Sequence, residues 1–362
     1  MQSLDEKTWK QLSAFGDGAP LHIETTNSSI DGIRLIDDGE KSVPYITRSD
    51  ANNGLARFVS AKNYEFGSDD GGCITVGLDT QTAFYQPHKF VTGQNVQVIT
   101  GENISEDVAQ FLVPILRQQM TAKFNWGGNG ATLGRMKRLS VMLPVTDSGE
   151  PDYAYMAEYA QQKRNAMLAK YRAYVEARIA ELGEVAEIPA LDEKEWKPIF
   201  ISSMFELVRG RENNMAMLED GDTPLISAKA NNNGLKGFVH NPKKIIAGQC
   251  ITLNNDGDGG AGLAYYQPAN MALDSHVTAL VPLIDMSAFV MLFIAKCISG
   301  LHGFFGHGLS ISNPRAKRLR IMLPVTDSGE PDYKYMEQYA KNMMLRKYQQ
   351  YLTFLQQRSD AR

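Results

Sequence analysis

Two stretches of this chain carry basic side chains and no acidic ones. Residues 121–140 and 301–323 contain no Asp or Glu, although the formal net charge of the chain is −4 at pH 7. Basic groups bind phosphates, while polar and aromatic groups reach base edges. The pattern therefore predicts DNA binding rather than a merely solvated charge run. The predicted phosphate-binding residues are Lys123, Arg135, Lys137, Arg138, Arg315, Lys317, Arg318 and Arg320.

Motifs for catalysis or metal binding are incomplete. GGNG at 127–130 lacks the GK[ST] ending of a phosphate-binding loop. Asn254, Asp256 and Asp258 resemble the start of a calcium loop, but Tyr265 stands where Glu is needed, so a hairpin loop is the better interpretation. The histidines show neither HExxH nor Cys/His ligand spacing. We predict no active site, no metal site and no cofactor in this chain.

The elements that must position the basic residues occur twice. MLPVTDSGEPDY is found at residues 142–153 and again at 322–333, 180 positions later. LDEKTWK near the start is matched by LDEKEWK from Leu191. Such identity indicates an internal duplication of a unit the size of a domain with an attached element. The predicted boundaries are a first domain at 1–150, a long helix at 151–183, a linker at 184–190, a second domain at 191–330 and a second long helix at 331–362.

Each predicted domain mixes strands and helices. Short β-type runs, such as CITVGLD from Cys73 and QCITLN from Gln249, are separated by turns rich in Gly, Asn and Asp. Two helical stretches begin near Ser105 and Asp285, which we predict as their N-caps. Because strands and helices do not alternate as in βαβ units, the predicted fold class is α+β, with two tandem domains.

A long helix is predicted after each domain. Pro151 and Pro331 suit the first helical position, and the aspartates that follow them would place negative charge in the first turn. About 30 residues without Gly or Pro correspond to roughly 45 Å of helix. Wide apolar faces predict a coiled-coil-like pair, with a plain core helix as the alternative. The predicted partner-binding residues are Met156, Tyr159, Met167, Tyr171, Tyr174, Met336, Tyr339, Tyr348 and Tyr351.

Composition sets further limits. With 362 residues and 43% hydrophobic content, the chain can form two cores. Its three cysteines, without CxxC spacing, indicate reduced thiols. No apolar run approaches the ~20 residues of a membrane span, and the first residues lack the order of a signal peptide. We expect a cytoplasmic protein without a membrane partner.

Several of these motifs resemble those of one family. The two KRLxxMLPVTDSGEPDYxYM segments, the PYIT and PLIS segments followed by NNG, and KFNWGGNG are similar to sequences of specificity (S) subunits of restriction–modification enzymes, of type I and especially type IIB kinds. The resemblance implies two target recognition domains that each contact half of a split site on double-stranded DNA, with paired helices setting the gap. It also implies no intrinsic catalysis. A partner methyltransferase or methyltransferase–endonuclease subunit would hold S-adenosylmethionine and Mg²⁺.

The resemblance leads to a hypothesis about base reading. The NNG segments and the two differing loops, FNWGGNGA and GFFGHGLS, would approach base edges, since two domains that read different half-sites need different loops on a shared frame. The predicted base-reading residues are Asn53, Gly54, Asn125, Trp126, Asn129, Asn233, Gly234, Lys236, Phe304 and His307.

Two other classes of protein compete with this interpretation. A stand-alone enzyme with twinned sites would need a titratable constellation repeated in both units, and the repeated Asp147, Glu150 and Asp152 fit a turn and a helix start instead. A scaffold or protein-interaction module without DNA binding would suit the acidic charge and the Tyr- and Met-rich helices. The twin basic stretches do not favour it.

Overall fold

The computed structural model describes residues 2–16, 18–124, 130–213, 217–257, 260–306 and 308–360. The chain forms two compact units, Met1–Tyr171 and Arg172–Arg362. Strands and helices are mixed in both, which confirms the predicted α+β class.

The first unit is organised around a four-stranded antiparallel sheet. Its strands are β1 (Trp9–Ser13), β2 (His22–Thr25), β3 (Val43–Ile46), β4 (Leu55–Val59), β5 (Cys73–Gly77), β6 (Thr82–Gln86), β7 (Val91–Thr92), β8 (Val96–Thr100) and β9 (Ser140–Pro144). The main sheet has the order β2-β8-β5-β6, a second sheet has the order β4-β3-β7, and β1 pairs with β9. The helices are α1 (Glu106–Lys123), α2 (Leu133–Met136) and α3 (Tyr153–Leu182), the last of which extends beyond Tyr171.

The second unit repeats this plan. Its strands are β10 (Trp196–Phe200), β11 (Phe205–Arg209), β12 (Asp220–Ile226), β13 (Leu235–Val239), β14 (Ile245–Ile246), β15 (Cys250–Asn254), β16 (Ala264–Gln267), β17 (Met271–Leu273), β18 (Val277–Pro282) and β19 (Arg320–Pro324). The main sheet has the order β11-β18-β15-β16, a second has β13-β12-β17-β14, and β10 pairs with β19. The helices are α4 (Ile201–Met204), α5 (Ala288–Ser299), α6 (Asn313–Lys317) and α7 (Tyr333–Asp360).

The core of each unit lies between one helix and the main sheet. In the first unit, α1 contacts β5 and β6, and its Leu112 and Leu116 join Ile74 and Ile99 in one buried cluster. In the second, α5 takes the same place. Each such side chain stabilises the fold by roughly 1.5–3 kcal/mol when it leaves water, so this layer is a stable support for the loops at its edges.

The N-caps of these two helices are both serines. Ser105 accepts a hydrogen bond from the backbone N–H of Val108 at 3.2 Å, as predicted. The prediction of Asp285 for the second helix is wrong, because α5 begins two residues later and Ser287 accepts from the N–H of Val290 at 3.4 Å. Asp and Ser are both good caps, so residue type alone did not decide between them.

The long helices begin two residues later than predicted, at Tyr153 and Tyr333. Pro151 is not the first helical residue, because it pairs with Val145 in a β-bridge that closes the preceding turn. Asp152 is the N-cap instead of a first-turn residue, since its Oδ1 accepts from the N–H of Tyr155 at 3.0 Å. The same correction holds for the second copy, where Asp332 caps α7 and Pro331 bridges to Val325.

A set of aromatic contacts fastens each long helix to its unit. Trp9 on β1 stacks on Phe111 of α1 at 6.1 Å between ring centroids, and Phe111 meets Tyr159 of α3 edge-on at 5.6 Å. In the second unit the same two contacts, at 6.2 and 5.5 Å, are made by Trp196, Phe293 and Tyr339. These triplets explain why the tryptophans and tyrosines recur in both copies.

An ion pair adds to these aromatic contacts. We call the aromatic triplet, the ion-paired lysine and aspartate, and the tyrosine three residues after that aspartate the joint. Lys7 Nζ lies 2.7 Å from Asp152 Oδ2 and 5.1 Å from the ring centroid of Tyr155. Lys194 repeats the ion pair with Asp332 at 2.8 Å. The LDEK segments therefore recur because their lysines meet the caps of the long helices.

Within the second unit, the end of α3 lies antiparallel to α7. Tyr174 meets Tyr348 edge-on at 6.5 Å. Four residues beyond the end of α3, the N–H of Ala186 donates to Asn342 Oδ1 at 3.1 Å, and Asn342 Nδ2 donates to the carbonyl of Ala186 at 2.8 Å. Because later residues of the first segment meet earlier residues of α7, the two run in opposite directions.

Candidate nucleic-acid interface

The NNG segments are tight turns with an unusual backbone. Asn52, Asn53 and Gly54 all have positive φ, at 51°, 56° and 76°. A Cβ on Gly54 would lie 2.9 Å from the carbonyl oxygen of Thr47. The second copy has φ values of 50°, 54° and 76° at residues 232–234. Left-handed Asn and Gly are tolerated where other residues are strained, so the tripeptide is required by the turn itself.

A glutamine from the neighbouring strand holds each turn. Gln86 Nε2 donates to the carbonyl of Asn53 at 3.0 Å, and Gln267 does the same to Asn233 at 2.9 Å. The side chain of Asn233 also donates to the carbonyl of Tyr266 at 3.0 Å. These bonds account for the glutamine shared by FYQP at residues 84–87 and YYQP at residues 265–268. They also give the NNG residues a structural role beside the predicted base contacts.

The loops before the short basic helices are fixed to the main sheets. Ala131 N–H donates to the carbonyl of Leu78, just after β5, at 3.3 Å. Ile311 N–H donates to Asn255, just after β15, at 2.6 Å. Arg135 Nη1 donates to the carbonyl of Gly130 at 3.0 Å. Each loop is thereby held at the end of the sheet where β5 or β15 finishes.

Other basic side chains predicted to bind phosphates lie on the surface around α2 and α6. Lys137 and Arg138 are exposed directly after α2, and Lys123 is exposed in the last turn of α1. In the second unit, Lys317 ends α6 and Arg318 follows it, both exposed. Arg318 Nε also donates to the carbonyl of Pro314 at 3.3 Å, and two further arginines have protein contacts. Arg315 donates to the carbonyl of Ser310, and Arg320 lies over the Phe200 ring at 4.2 Å.

A cleft in the second unit brings several of these segments together. It has a volume of about 730 Å³, and its lining includes Lys236, which follows the NNG turn, and the glycines on either side of position 307. Lys229, Asp256 and His276 also line it, and the sequence prediction missed them. They lie within three residues of the ends of β12, β15 and β18, so a comparison of strand ends between the two copies could have found them.

Some predicted base-reading residues lie elsewhere or outside the described residues. Phe304 is 71% exposed in a 3₁₀ turn after α5 and does not line the cleft. The structural description does not extend to four predicted residues: Asn125, Trp126, Asn129 and His307.

Comparison with known proteins identifies the family. A family model described as the type I restriction modification DNA specificity domain matches residues 22–171 and again 193–351. The chain belongs to this family. It is a specificity subunit of restriction–modification systems, with two recognition domains, as the sequence predicted.

Individual relatives of the specificity subunit share at most about a quarter of its residues in the matches described below. The chain is 24% identical over 306 residues to the type II restriction enzyme specificity subunit S.BcgI of Heyndrickxia coagulans, which covers 84% of this chain and 86% of the relative. An S subunit of a type I system from M. genitalium matches 100% of this chain and 96% of its own, with 13% identity and a TM-score of 0.48. An S subunit from Thermoanaerobacter tengcongensis matches 96% and 91%, with 15% identity and a TM-score of 0.32.

The long helices of the specificity subunit offer only part of the predicted partner surface. Met156 and Met336 are fully buried in the cores of their own units, and Tyr159 and Tyr339 pack in the joints. The prediction that these four residues bind a partner is wrong, because the domain already covers the first turns of each helix. A helical period identifies an apolar face but not what covers it.

The exposed part of the predicted surface is the middle of α3. Met167 is 71% exposed, and Tyr171 and Tyr174 are 44% and 49% exposed. On α7, Tyr348 and Tyr351 are half-buried. Single exposed apolar residues are ordinary on a protein surface, whereas a group on one helix face is a candidate interaction surface.

Within the described ranges, no group of three or more His, Cys, Asp or Glu could hold a metal ion. The three cysteines are free, and burial raises the pKa of Cys73 to about 12 and that of Cys250 to about 11, so both stay protonated and unreactive near neutral pH. No described helix is long and apolar enough to cross a membrane.

Proposed function

We propose that this specificity subunit binds double-stranded DNA at two short half-sites, one read by each unit, and directs a partner methyltransferase or methyltransferase–endonuclease to that site. The observation that carries the proposal is that the two units share one backbone arrangement but differ in the sequence of their loops. Both units hold an NNG turn by a glutamine and fix a loop to the same end of the main sheet, yet the loops differ in sequence. Two readers of different half-sites require this combination.

The exposed basic residues support the DNA part of the proposal. Arg138 and Arg318 follow α2 and α6 at equivalent places, in a chain whose net charge is −4. Such local basic groups neutralise phosphates and position each unit, while the loops and the cleft face the bases. The loops and the cleft would determine sequence preference, and the basic groups would determine overall affinity.

The partner part of the proposal uses the middle of α3. Its exposed Met167, Tyr171 and Tyr174 are residue types enriched in protein interfaces. The partner subunit would bind S-adenosylmethionine, flip the target base and carry out the chemistry. This chain would supply no catalytic group and no cofactor site.

The test is a methylome of the source strain with and without this gene. Loss of methylation at one motif, made of two half-sites around a fixed gap, is the expected result. Unchanged methylation, together with no binding of the purified complex to duplex DNA at low salt, would refute the proposal. The chain would then be a scaffold whose partners co-purify through α3.

A further inference from the structure

The two main sheets allow residues to be matched by strand register. Gly77 pairs with Val96 at the end of β5, and Asn254 pairs with Val277 at the end of β15. The next backbone bond is also shared, from Leu78 to the carbonyl of Asn95 in one unit and from Asn255 to that of His276 in the other. Asn95 and His276 therefore hold the same position, immediately before β8 and β18.

An aspartate meets this position in both units. Asp79 Oδ2 accepts from Asn95 Nδ2 at 3.0 Å, and Asp256 Oδ1 lies 2.7 Å from Nδ1 of His276. Asp79 and Asp256 both stand one residue beyond the carbonyls of Leu78 and Asn255, which fix the loops before α2 and α6. The acid and its place are common to the two units, whereas the side chain that it holds differs.

A second difference lies across from the aspartate. In the first unit Arg48 Nη1 is 2.7 Å from Asp79 Oδ2 and its side chain is 48% exposed. The equivalent residue of the second unit is Ala228, which lines the cleft together with Asp256 and His276. A small residue there leaves space in front of the histidine.

The differing side chains have the chemistry of base readers. Arg donates two hydrogen bonds to guanine, Asn pairs with adenine, and an imidazole nitrogen donates to a purine acceptor. All three are partly exposed or line an open cleft, and each is oriented by a carboxylate. Orientation before binding lowers the entropy lost on binding and sharpens discrimination between bases.

We infer that Arg48 and Asn95 in the first unit and His276 in the second are specificity-determining residues, each oriented by a positioning aspartate, Asp79 or Asp256, at the same end of the same sheet. The inference rests on the proposed function, since it assigns base contacts to a DNA reader. It differs from the sequence prediction, which placed the readers in the NNG segments and in the loops.

The test uses the complete complex with its methyltransferase subunit and a library of duplexes with both half-sites randomised. Methylated duplexes are sequenced, which gives the base preference at every position. His276→Ala should reduce discrimination at one position of one half-site by on the order of tenfold to a hundredfold, and Asn95→Ala should do the same in the other half-site only. His240→Ala, an exposed histidine at the end of β13, is the matched control and should change no preference.

The positioning role has its own variant. Asp256→Asn keeps the size of the side chain and should weaken discrimination at the position that His276→Ala affects, with unchanged melting of the complex. If His276→Ala and Asn95→Ala leave every preference within about twofold of wild type, where a lost bidentate contact costs more, the inference is wrong although the proposed function stands. A wild-type complex without any split-site preference would refute both.

Discussion

Replacing Asp152 by Ala tests the joint between α3 and its domain. The carboxylate has two partners, the N–H of Tyr155 at 3.0 Å and the ammonium of Lys7 at 2.7 Å, and the side chains of the ion pair are only 13% and 18% exposed. The substitution removes the helix cap and leaves a largely buried lysine without its counter-ion. The aromatic contacts of the joint remain in place.

The expected loss follows from these two contacts. Removal of an N-cap costs about 1 kcal/mol. The ion pair contributes about 1 kcal/mol more, at the upper end for surface pairs because both groups are mostly shielded. A total of about 2 kcal/mol corresponds to roughly thirtyfold faster opening of the first turn of α3, since 1.4 kcal/mol is a factor of ten.

Amide hydrogen exchange at residues 155–160, followed by mass spectrometry, measures this opening directly. It is preferable to a melting temperature because a chain with two units need not unfold in one step. Asp147→Ala is the matched control, since it removes the same charge from an exposed position of the turn just before the cap. Equal exchange in wild type and Asp152→Ala, or an equal effect of Asp147→Ala, would show that the joint does not depend on the cap.

The same contact predicts a dependence on pH. The hydrogen bond from Lys7, and then that from the Tyr155 N–H, lower the pKa of Asp152 below its usual value. A carboxyl whose pKa is depressed on folding stabilises the folded state above its unfolded pKa of about 3.9, and the contribution is lost as the pH falls through the folded value. The protection of amides 155–160, measured relative to their intrinsic exchange rate at each pH, should therefore be full at neutral pH and decline only in acid. Asp152→Ala should show no such decline.

Three further predictions concern other sites. Arg138→Ala should weaken binding to all duplex sequences alike and reduce the salt slope of log K by about 1, as measured by anisotropy titrations at several salt concentrations; a changed base preference with an unchanged slope would contradict this. Gly54→Ala should destabilise the first unit by about 1–3 kcal/mol in chemical denaturation, because φ is 76° and a Cβ would meet a backbone oxygen at 2.9 Å, whereas Gly134→Ala, with open space around it, should not. Met336→Ala should cost about 2–5 kcal/mol in denaturation of the second unit, and Met343→Ala, at a 38% exposed site on the same helix, less than about 1 kcal/mol; equal losses would show that α7 is packed differently.

The architecture could be predicted from the sequence because each element occurs in both copies, so a pattern in one copy could be checked against the other. The strands beginning at Cys73 and Cys250 and the cap at Ser105 were predicted correctly, since each has a local signal of residue type and period. Pro151 was misplaced because its bridge to Val145 forms across a turn, and proline preferences do not distinguish a helix start from the residue just before it.

The candidate site was harder to predict because its contacts connect distant segments. Gln86 reaches the backbone of Asn53, 33 positions away, so the sequence showed that both motifs recur without showing that one supports the other. The pairing of Asp256 with His276 likewise depends on the register of β15 and β18. Burial of Met156 was missed because helical periodicity does not reveal that the domain, and not a partner, covers the first turns.

In each unit, the joint lies before the loop that precedes α2 or α6, and part of the core helix α1 or α5 separates the two. Phe111 lies in the second turn of α1, soon after β8 ends, while Asn95 precedes β8 and the recognition loop follows the other end of α1. Beyond Phe111, α1 continues to Lys123 for about 18 Å, and beyond Phe293, α5 continues to Ser299 for about 9 Å. We therefore expect substitutions at the proposed base-reading residues to leave the contacts of the joint unchanged. Target preference can diverge between the two copies while the twelve residues that start each helix remain identical.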